Sequence, residues 1–190
     1  MTDSEFLISN YKFSENLEAM KESFYPVEDT VKRENDLLKF FARFNVDVQC
    51  LYVQMAFPLV QTLDKDFLRQ NNVLIPAMDV EEFEEEFNNV DFPEAVEKMA
   101  EEGVIGNELK EKLEYISGIR NELVHKTIAK KRDNSKLGDS VNSKDFEADL
   151  PKETDEILDM AIESISELEK IRTQFIEKRV EKDDFSYWKL

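Results

Sequence analysis

The amino-acid sequence predicts an all-α fold built from long helices. Glycine and proline, which most often interrupt helices, number only four and five among the 190 residues, so few breaks are expected. Large apolar residues recur at three- and four-residue steps over long stretches, with charged residues mostly opposite them. This pattern is typical of amphipathic helices. The length corresponds to one domain, which we expect over residues 1–182, with a short tail over residues 183–190.

The first helices are predicted from two apolar stretches. Residues 3–24 carry an irregular but mainly helical pattern, with Asp3 and Ser4 as candidate N-caps. Residues 27–71 form the most apolar part of the chain. They predict either two helices or one long helix kinked near Pro58.

Shorter elements are expected in the middle of the chain. Residues 73–76 predict a short extended piece that a proline ends. Residues 79–87 predict an acidic helix. We interpret its carboxylates as a solvated face and not as a metal site, because one helix splays consecutive side chains outward. Asp91 is the predicted N-cap of the next helix, which has proline at an early position, and Gly103 is predicted to close it.

The clearest helix pattern begins at Asn107. Its predicted apolar stripe consists of Leu109, Leu113, Ile116, Ile119 and Leu123. Arg120 falls within this stripe, whereas Asn121 and His125 share a flank turned away from it. An arginine among core positions must reach solvent, pair with a carboxylate, or face an interface or a bound anion. Bringing Arg120 and His125 to one site requires a bend at Gly118, a long arginine reach, or a second subunit.

A change in composition follows this helix. Residues 133–151 are mostly polar, and we expect a mobile loop there. Residues 152–182 predict a final helix. The predicted buried face of that helix consists of Ile157, Met160, Ala161, Ser164, Leu168, Ile171, Phe175 and Ile176. The aromatic residues of the tail are expected either to dock on the bundle or to contact a partner.

Charge and composition limit the classes of function. The net charge of −18 argues against broad nonspecific binding to a polyanion. A local basic segment nevertheless follows His125, with Lys126, Lys130, Lys131, Arg132 and Lys136. It either complements the helix dipole or attracts phosphate. No apolar run is long enough to span a membrane and no signal peptide is evident, so a soluble cytoplasmic protein is expected. Cys50 is the only cysteine, which excludes an intrachain disulfide and predicts a buried structural thiol.

Arg120, Asn121 and His125 form an Arg-Asn-x-x-x-His motif late on an amphipathic helix. This motif resembles the signature of HEPN domains (higher eukaryotes and prokaryotes nucleotide-binding). The resemblance implies a HEPN-like helical bundle and a homodimer in which Arg120 and His125 of both subunits line one cleft. It also implies a ribonuclease without metal or cofactor, and in several cases a toxin or antiviral effector restrained by a partner such as an antitoxin.

In that resemblance, each motif residue has a role. His125 would move a proton as base or acid, since histidines ordinarily titrate near neutrality. Arg120 would bind the phosphate and stabilise the charge that builds on it when a ribose 2′-hydroxyl attacks. Asn121 would hydrogen-bond His125 or the substrate backbone. Lys126, Lys130 and Lys131 would bind the substrate.

Alternatives to this interpretation remain open. A lone histidine near a helix C-terminus often only stabilises the helix dipole. Glu122 and His125 match half of a di-iron motif, but that site needs two such motifs and the chain has one histidine. Zinc, serine-triad and P-loop sites also lack their residues. Two functions remain: an RNA-cleaving enzyme, which the motif and lysines favour, and a non-catalytic helical dimer that binds a nucleotide, RNA or protein, which the acidic charge favours.

Overall fold

The protein is an all-α bundle, as the sequence predicts. The computed structural model describes residues 8–9, 12–24, 30–56, 73–74, 80–134 and 154–182. The six helices of these ranges are α1 (Phe13–Glu22), α2 (Thr30–Ala56), α3 (Val80–Asn89), α4 (Phe92–Glu101), α5 (Asn107–Asn134) and α6 (Thr154–Glu181). Two-residue strands, β1 (Ile8–Ser9) and β2 (Val73–Leu74), pair antiparallel, with Ile8 opposite Leu74. None of the described helices is both long and apolar enough to cross a membrane.

Helix α2 is the central element of the bundle. It packs against each of the other five described helices. This position follows from its sequence, because apolar residues cover more than one side of the helix and must be buried on more than one side. Its buried apolar residues are Leu37, Phe40, Phe41, Phe44, Val48, Leu51, Tyr52, Val53, Met55 and Ala56. The ring of Phe44 lies 6.1 Å from that of Phe92 on α4, centroid to centroid.

Helix α4 shows how local signals fix an element's ends. The Asp91 side chain accepts a hydrogen bond of 3.0 Å from the backbone N–H of Glu94, and proline stands in the first turn. Gly103 follows the helix with a φ of 68°, a left-handed conformation that glycine adopts without strain. Both predicted ends of this helix are therefore confirmed.

Removing the cap at Asp91 should weaken the bundle measurably. We expect Asp91→Ala to lower the free energy of unfolding by about 1 kcal/mol, because an N–H in the first turn loses its acceptor. Asp91→Ser should retain most of the stability, since serine also caps helices well. Urea denaturation of the three proteins checks this. Equal midpoints for Asp91→Ala and the wild type would contradict a stabilising role for the cap.

The start of α1 corrects the sequence-based prediction. The predicted helix over residues 3–24 is wrong at its beginning, because Ile8–Ser9 forms strand β1 and the helix begins at Phe13. Asp3 and Ser4, the candidate N-caps, lie outside the described residues. The N-cap residue is Lys12, whose side chain makes no capping hydrogen bond. Pairing with β2 overrides the irregular helical pattern of this segment, as tertiary context often does.

The other predicted elements that fall within the described residues appear in the structure, with ends that differ by a few residues. Residues 73–74 of the predicted extended piece form β2, whereas residues 75–76 lie outside the described residues, and the acidic helix predicted at residues 79–87 appears as α3. Helix α5 continues through Asn134, so the predicted loop cannot start at residue 133. The remainder of that loop, the tail at residues 183–190 and the region around Pro58 lie outside the described residues. The predicted face of α6 is confirmed, with Met160 and Ile171 only partly buried.

Candidate functional site

The motif residues lie on α5, which passes through Gly118 without a break. The predicted apolar stripe is confirmed: four of its members are buried, and Ile119 is partly buried against the core. Gly118 itself is exposed. Because the helix is not interrupted at Gly118, the backbone does not redirect Arg120 toward His125.

Arg120 lies at the edge of the apolar stripe and is half-buried. Its Nη1 donates a hydrogen bond of 2.9 Å to Oδ1 of Asn121. Its Nε is shielded from solvent and has no hydrogen-bond partner within the described part of the chain. A shielded donor without an acceptor costs roughly 1–3 kcal/mol. The guanidinium therefore retains a donor that an additional acceptor would stabilise.

Asn121 and His125 are both exposed, on the flank of α5 that the sequence predicts. The Asn121 side chain oxygen accepts from Arg120. Among the described residues, no hydrogen bond or ion pair joins His125 to Arg120 or Asn121. Residues five positions apart on a helix point in directions that differ by about 140°. The structure thus brings Arg120 and Asn121 together, while His125 stands apart from Arg120 within one chain.

The part of α5 around the motif is acidic. Glu111, Glu114 and Glu122 are exposed. The lysines in this part of α5 are engaged by carboxylates: Lys110 Nζ lies 2.5 Å from Glu97, and Lys112 Nζ lies 2.7 Å from Glu108. Cations for a phosphate would therefore come from Arg120 and from the segment beyond His125. For Lys126, Lys130 and Lys131 the structure gives the helical backbone only.

Tyr115 is an exposed aromatic residue on α5, N-terminal to the motif. Its side chain is 53% exposed, and it lies on α5 between Glu111 and the motif. An exposed tyrosine can stack on a base or pack in an interface.

No group of three metal-ligating side chains converges within the described residues. On α3, Glu81, Glu84 and Glu85 are exposed, in agreement with a solvated acidic face. Burial raises the pKa of the partly buried Cys50 thiol to about 11, with a further contribution from the negative charge of Asp47. This thiol stays protonated at neutral pH, in agreement with a structural role.

A buried polar cluster between α2 and α6 was not found from the sequence. Asp47 is fully buried on α2, and its Oδ1 lies 2.7 Å from Nε of Arg43. Burial raises the pKa of Asp47 to about 7, although the positive charge of Arg43 lowers it. The signal was present in the spacing, because Asp47 lies three residues after Phe44 and four before Leu51, in register with the apolar stripe.

Helix α6 contributes three more buried charged residues. Glu169 accepts hydrogen bonds from α1. Arg172 donates to the side chain of Gln54 over 2.8 Å. Arg179 donates to the Met55 carbonyl over 2.9 Å. Each of these contacts joins α6 to another helix. Together they connect α1 and α2, at the start of the chain, to α6 near its end.

Comparisons with protein-family models, with curated proteins and with solved structures give no match for this chain. The resemblance to HEPN domains therefore depends on Arg120, Asn121 and His125 and on their all-α setting.

Proposed function

We propose that the chain is a HEPN-like homodimer that cleaves RNA without a metal ion, and that it acts in the cytoplasm as a toxin or antiviral defence effector restrained by a protein partner. One observation carries the proposal. The Arg120 guanidinium, which suits phosphate, is held by Asn121, and Asn121 shares its exposed flank of α5 with His125, which suits proton transfer. Arginine and histidine are the residue types that bind a phosphodiester and move a proton at neutral pH.

A second subunit supplies the convergence that one chain lacks. Arg120 of one copy would bind the scissile phosphate through its guanidinium and stabilise the charge that builds on it. His125 of the other copy would take the proton from the 2′-hydroxyl as it attacks phosphorus. The P–O5′ bond then breaks, the leaving oxygen is protonated, and a 2′,3′-cyclic phosphate remains. Asn121 would keep the guanidinium oriented through the hydrogen bond that it accepts.

Cleavage of RNA in the presence of EDTA tests the proposed enzyme. We expect the wild type to produce 2′,3′-cyclic phosphate ends from single-stranded RNA. His125→Ala should reduce the rate by about 100-fold or more, since positioned acid–base groups contribute roughly that much. Arg120→Lys should also reduce it, because lysine lacks the planar fork. Glu85→Gln, which removes an exposed carboxylate on α3 and away from the motif helix, serves as the matched control and should keep the activity.

The outcome that contradicts the enzyme is a protein that is folded and dimeric by light scattering, yet cleaves no RNA. Equal cleavage by the wild type and His125→Ala would also contradict it, because the activity would then lie elsewhere or in a contaminant. A strictly monomeric protein at high concentration would remove the composite site.

The alternative function is a non-catalytic helical dimer that binds a nucleotide, RNA or a protein. The acidic flank made by Glu111, Glu114 and Glu122 favours it, because negative charge beside the site repels a nucleic-acid backbone. In that case, Arg120→Ala should weaken binding of the partner or dimerisation, while no RNA is cut by any variant. Titration of the wild type and of Arg120→Ala with nucleotides and with single-stranded RNA compares the affinities of the two proteins.

A further inference from the structure

One line of residues along α5 is exposed, although the helix packs against α2, α4 and α6. Its members follow one another at alternating steps of three and four residues. They are Glu111, Glu114, Gly118, Asn121 and His125. Residues with this spacing lie on one side of a helix, and it is the spacing through which two helices pack against each other in a coiled coil. We call this line the α5 seam.

Gly118, in the middle of the seam, is not explained by contacts within its own chain. It lies inside an unbroken helix, and a methyl group added there would meet no described atom within 4 Å. Glycine is less favourable than alanine inside a helix, because it loses more conformational freedom on folding. Small residues let the backbones of two helices approach closely. The missing side chain therefore favours an approach to α5 from outside this chain.

The seam is acidic at one end and basic at the other. Glu111 and Glu114 lie at its N-terminal end and are exposed. The same three- and four-residue steps continue beyond His125 to Ile128 and Arg132, and the helical backbone of α5 extends past both positions. A surface with opposite charges at its two ends is complementary to a copy of itself turned end for end.

We propose that the α5 seam is the docking surface for a second copy of this chain, which packs on it in antiparallel orientation about a twofold axis near position 123. In this arrangement Glu114 of each copy lies opposite Arg132 of the other, and Gly118 lies opposite Ile128, whose larger side chain occupies the space that the glycine leaves. The inference rests on the homodimer of the proposed function and names the surface through which that dimer forms.

Charge selects both the orientation and the register. Each chain carries a net charge of −18, so two copies repel each other unless opposite local charges meet. A parallel pairing would set Glu111, Glu114 and Arg132 against the same residues of the second copy. The antiparallel pairing forms the Glu114–Arg132 contact twice, because the interface is symmetric. A register shifted by seven residues would instead place Arg132 opposite Asn107 or Asn121, neither of which is charged.

The same register brings the two parts of the motif together. Asn121 of one copy lies opposite His125 of the other, and Asn121 already accepts a hydrogen bond of 2.9 Å from Nη1 of Arg120. The imidazole of one copy therefore meets the guanidinium and amide of the other at two places related by symmetry. Within one chain, His125 stands apart from Arg120 on the unbroken helix.

Charge reversal in the full chain tests the pairing. Analytical ultracentrifugation gives the dimer dissociation constant of the wild type, Glu114→Lys, Arg132→Glu and the variant with both changes. Each single change should raise the constant by about tenfold or more, since it creates two like-charge contacts. The double variant should return to within about threefold of the wild type, because the pair is restored with its signs exchanged. Glu85→Lys, which reverses an exposed acid on α3, is the matched control and should leave the constant unchanged.

The rescue is the decisive part of that experiment. Glu114 also lies 3.9 Å from Nζ of Lys110 within its own chain, so a loss in Glu114→Lys could arise without a second copy. Recovery of association on adding Arg132→Glu requires that the two positions meet. Gly118→Leu should also raise the dissociation constant by about tenfold or more. Its helical content by circular dichroism should match the wild type, because the space around Gly118 is open within one chain.

A disulfide between copies tests the register directly. Glu114→Cys and Arg132→Cys are combined in one chain with Cys50→Ala, and the protein is oxidised mildly. The two positions are separated by about 27 Å along one helix, too far to link within a chain. We expect a covalent dimer on a non-reducing gel. Replacing Glu114→Cys by Glu85→Cys in the same chain should give no covalent dimer.

Four results would overturn the seam as the interface: a strictly monomeric chain, a dissociation constant unchanged in Gly118→Leu, a double charge reversal that fails to restore association, or no disulfide between copies. A covalently linked dimer that cuts no RNA would contradict the ribonuclease and support the interface. RNA cleavage by a dimer in which the two cysteines do not link would overturn the interface and leave the ribonuclease standing.

Discussion

Phe40→Ala is expected to destabilise the protein by about 3–5 kcal/mol, the range for removal of a buried aromatic ring. Phe40 is fully buried on the central helix α2. Its ring makes edge-on contacts with Phe24 and Phe41, with centroids 6.0 and 5.5 Å away. Because α2 packs against every other described helix, the cavity cannot collapse without displacing several of them. The free energy of unfolding in urea, followed by far-ultraviolet circular dichroism, measures the loss.

A surface substitution provides the comparison for Phe40. Tyr115→Ala removes an aromatic ring of similar size from the exposed face of α5 and should change the free energy of unfolding by roughly 0.5 kcal/mol or less. Phe40→Leu should lie between the two, since leucine fills most of the space. A loss at Phe40 no larger than that at Tyr115 would mean that α2 is not the centre of the core.

Elements with local signals were predicted closely from the sequence. Helix α4 carries its own cap at Asp91 and its own terminator at Gly103, so both ends are encoded within a few residues of the helix. The apolar face of α5 follows from three- and four-residue spacing alone. The exposure of Asn121 and His125 follows from the same geometry, because their flank is fixed once the buried stripe is known.

Features that depend on distant partners could not be predicted in the same way. The start of α1 depends on Glu169, which is 156 residues from Phe13, and strand β1 exists because residues 73–74 pair with it. Neither contact leaves a local pattern. In the proposed dimer, whether Arg120 and His125 share a site would likewise depend on a second chain, about which the spacing of these two residues carries no information.

Buried charged residues are the second group that sequence reasoning missed. Asp47, Glu169 and Arg172 occupy positions on apolar faces, yet charge alone suggests exposure. Periodicity identifies such positions, but it does not identify the partner that makes burial tolerable. For Arg172 that partner is Gln54, and for Glu169 it is α1.

Glu169→Ala should cost about 2–4 kcal/mol of stability at pH 5.5, where Asp47 is expected to be protonated. The substitution removes the acceptor of the Phe13 amide and of the Ser14 hydroxyl, both of which are buried. Each buried donor that loses its acceptor costs roughly 1–3 kcal/mol. Removal of the negative charge also deprives the α1 N-terminus of its favourable interaction with the helix dipole. Urea denaturation at pH 5.5 measures the change.

The companion variants separate capping from packing. Glu169→Gln keeps the size of the side chain and one acceptor oxygen. It should therefore lose less than half as much stability as Glu169→Ala. If Glu169 only filled space, the glutamine variant would be as stable as the wild type. Ser14→Ala combined with Glu169→Ala should cost less than the sum of the two single changes, because both remove the same hydrogen bond. Strict additivity would show that Ser14 and Glu169 do not interact in solution.

Exchange of α1 amides that is unchanged in Glu169→Ala would show that α6 does not cap α1.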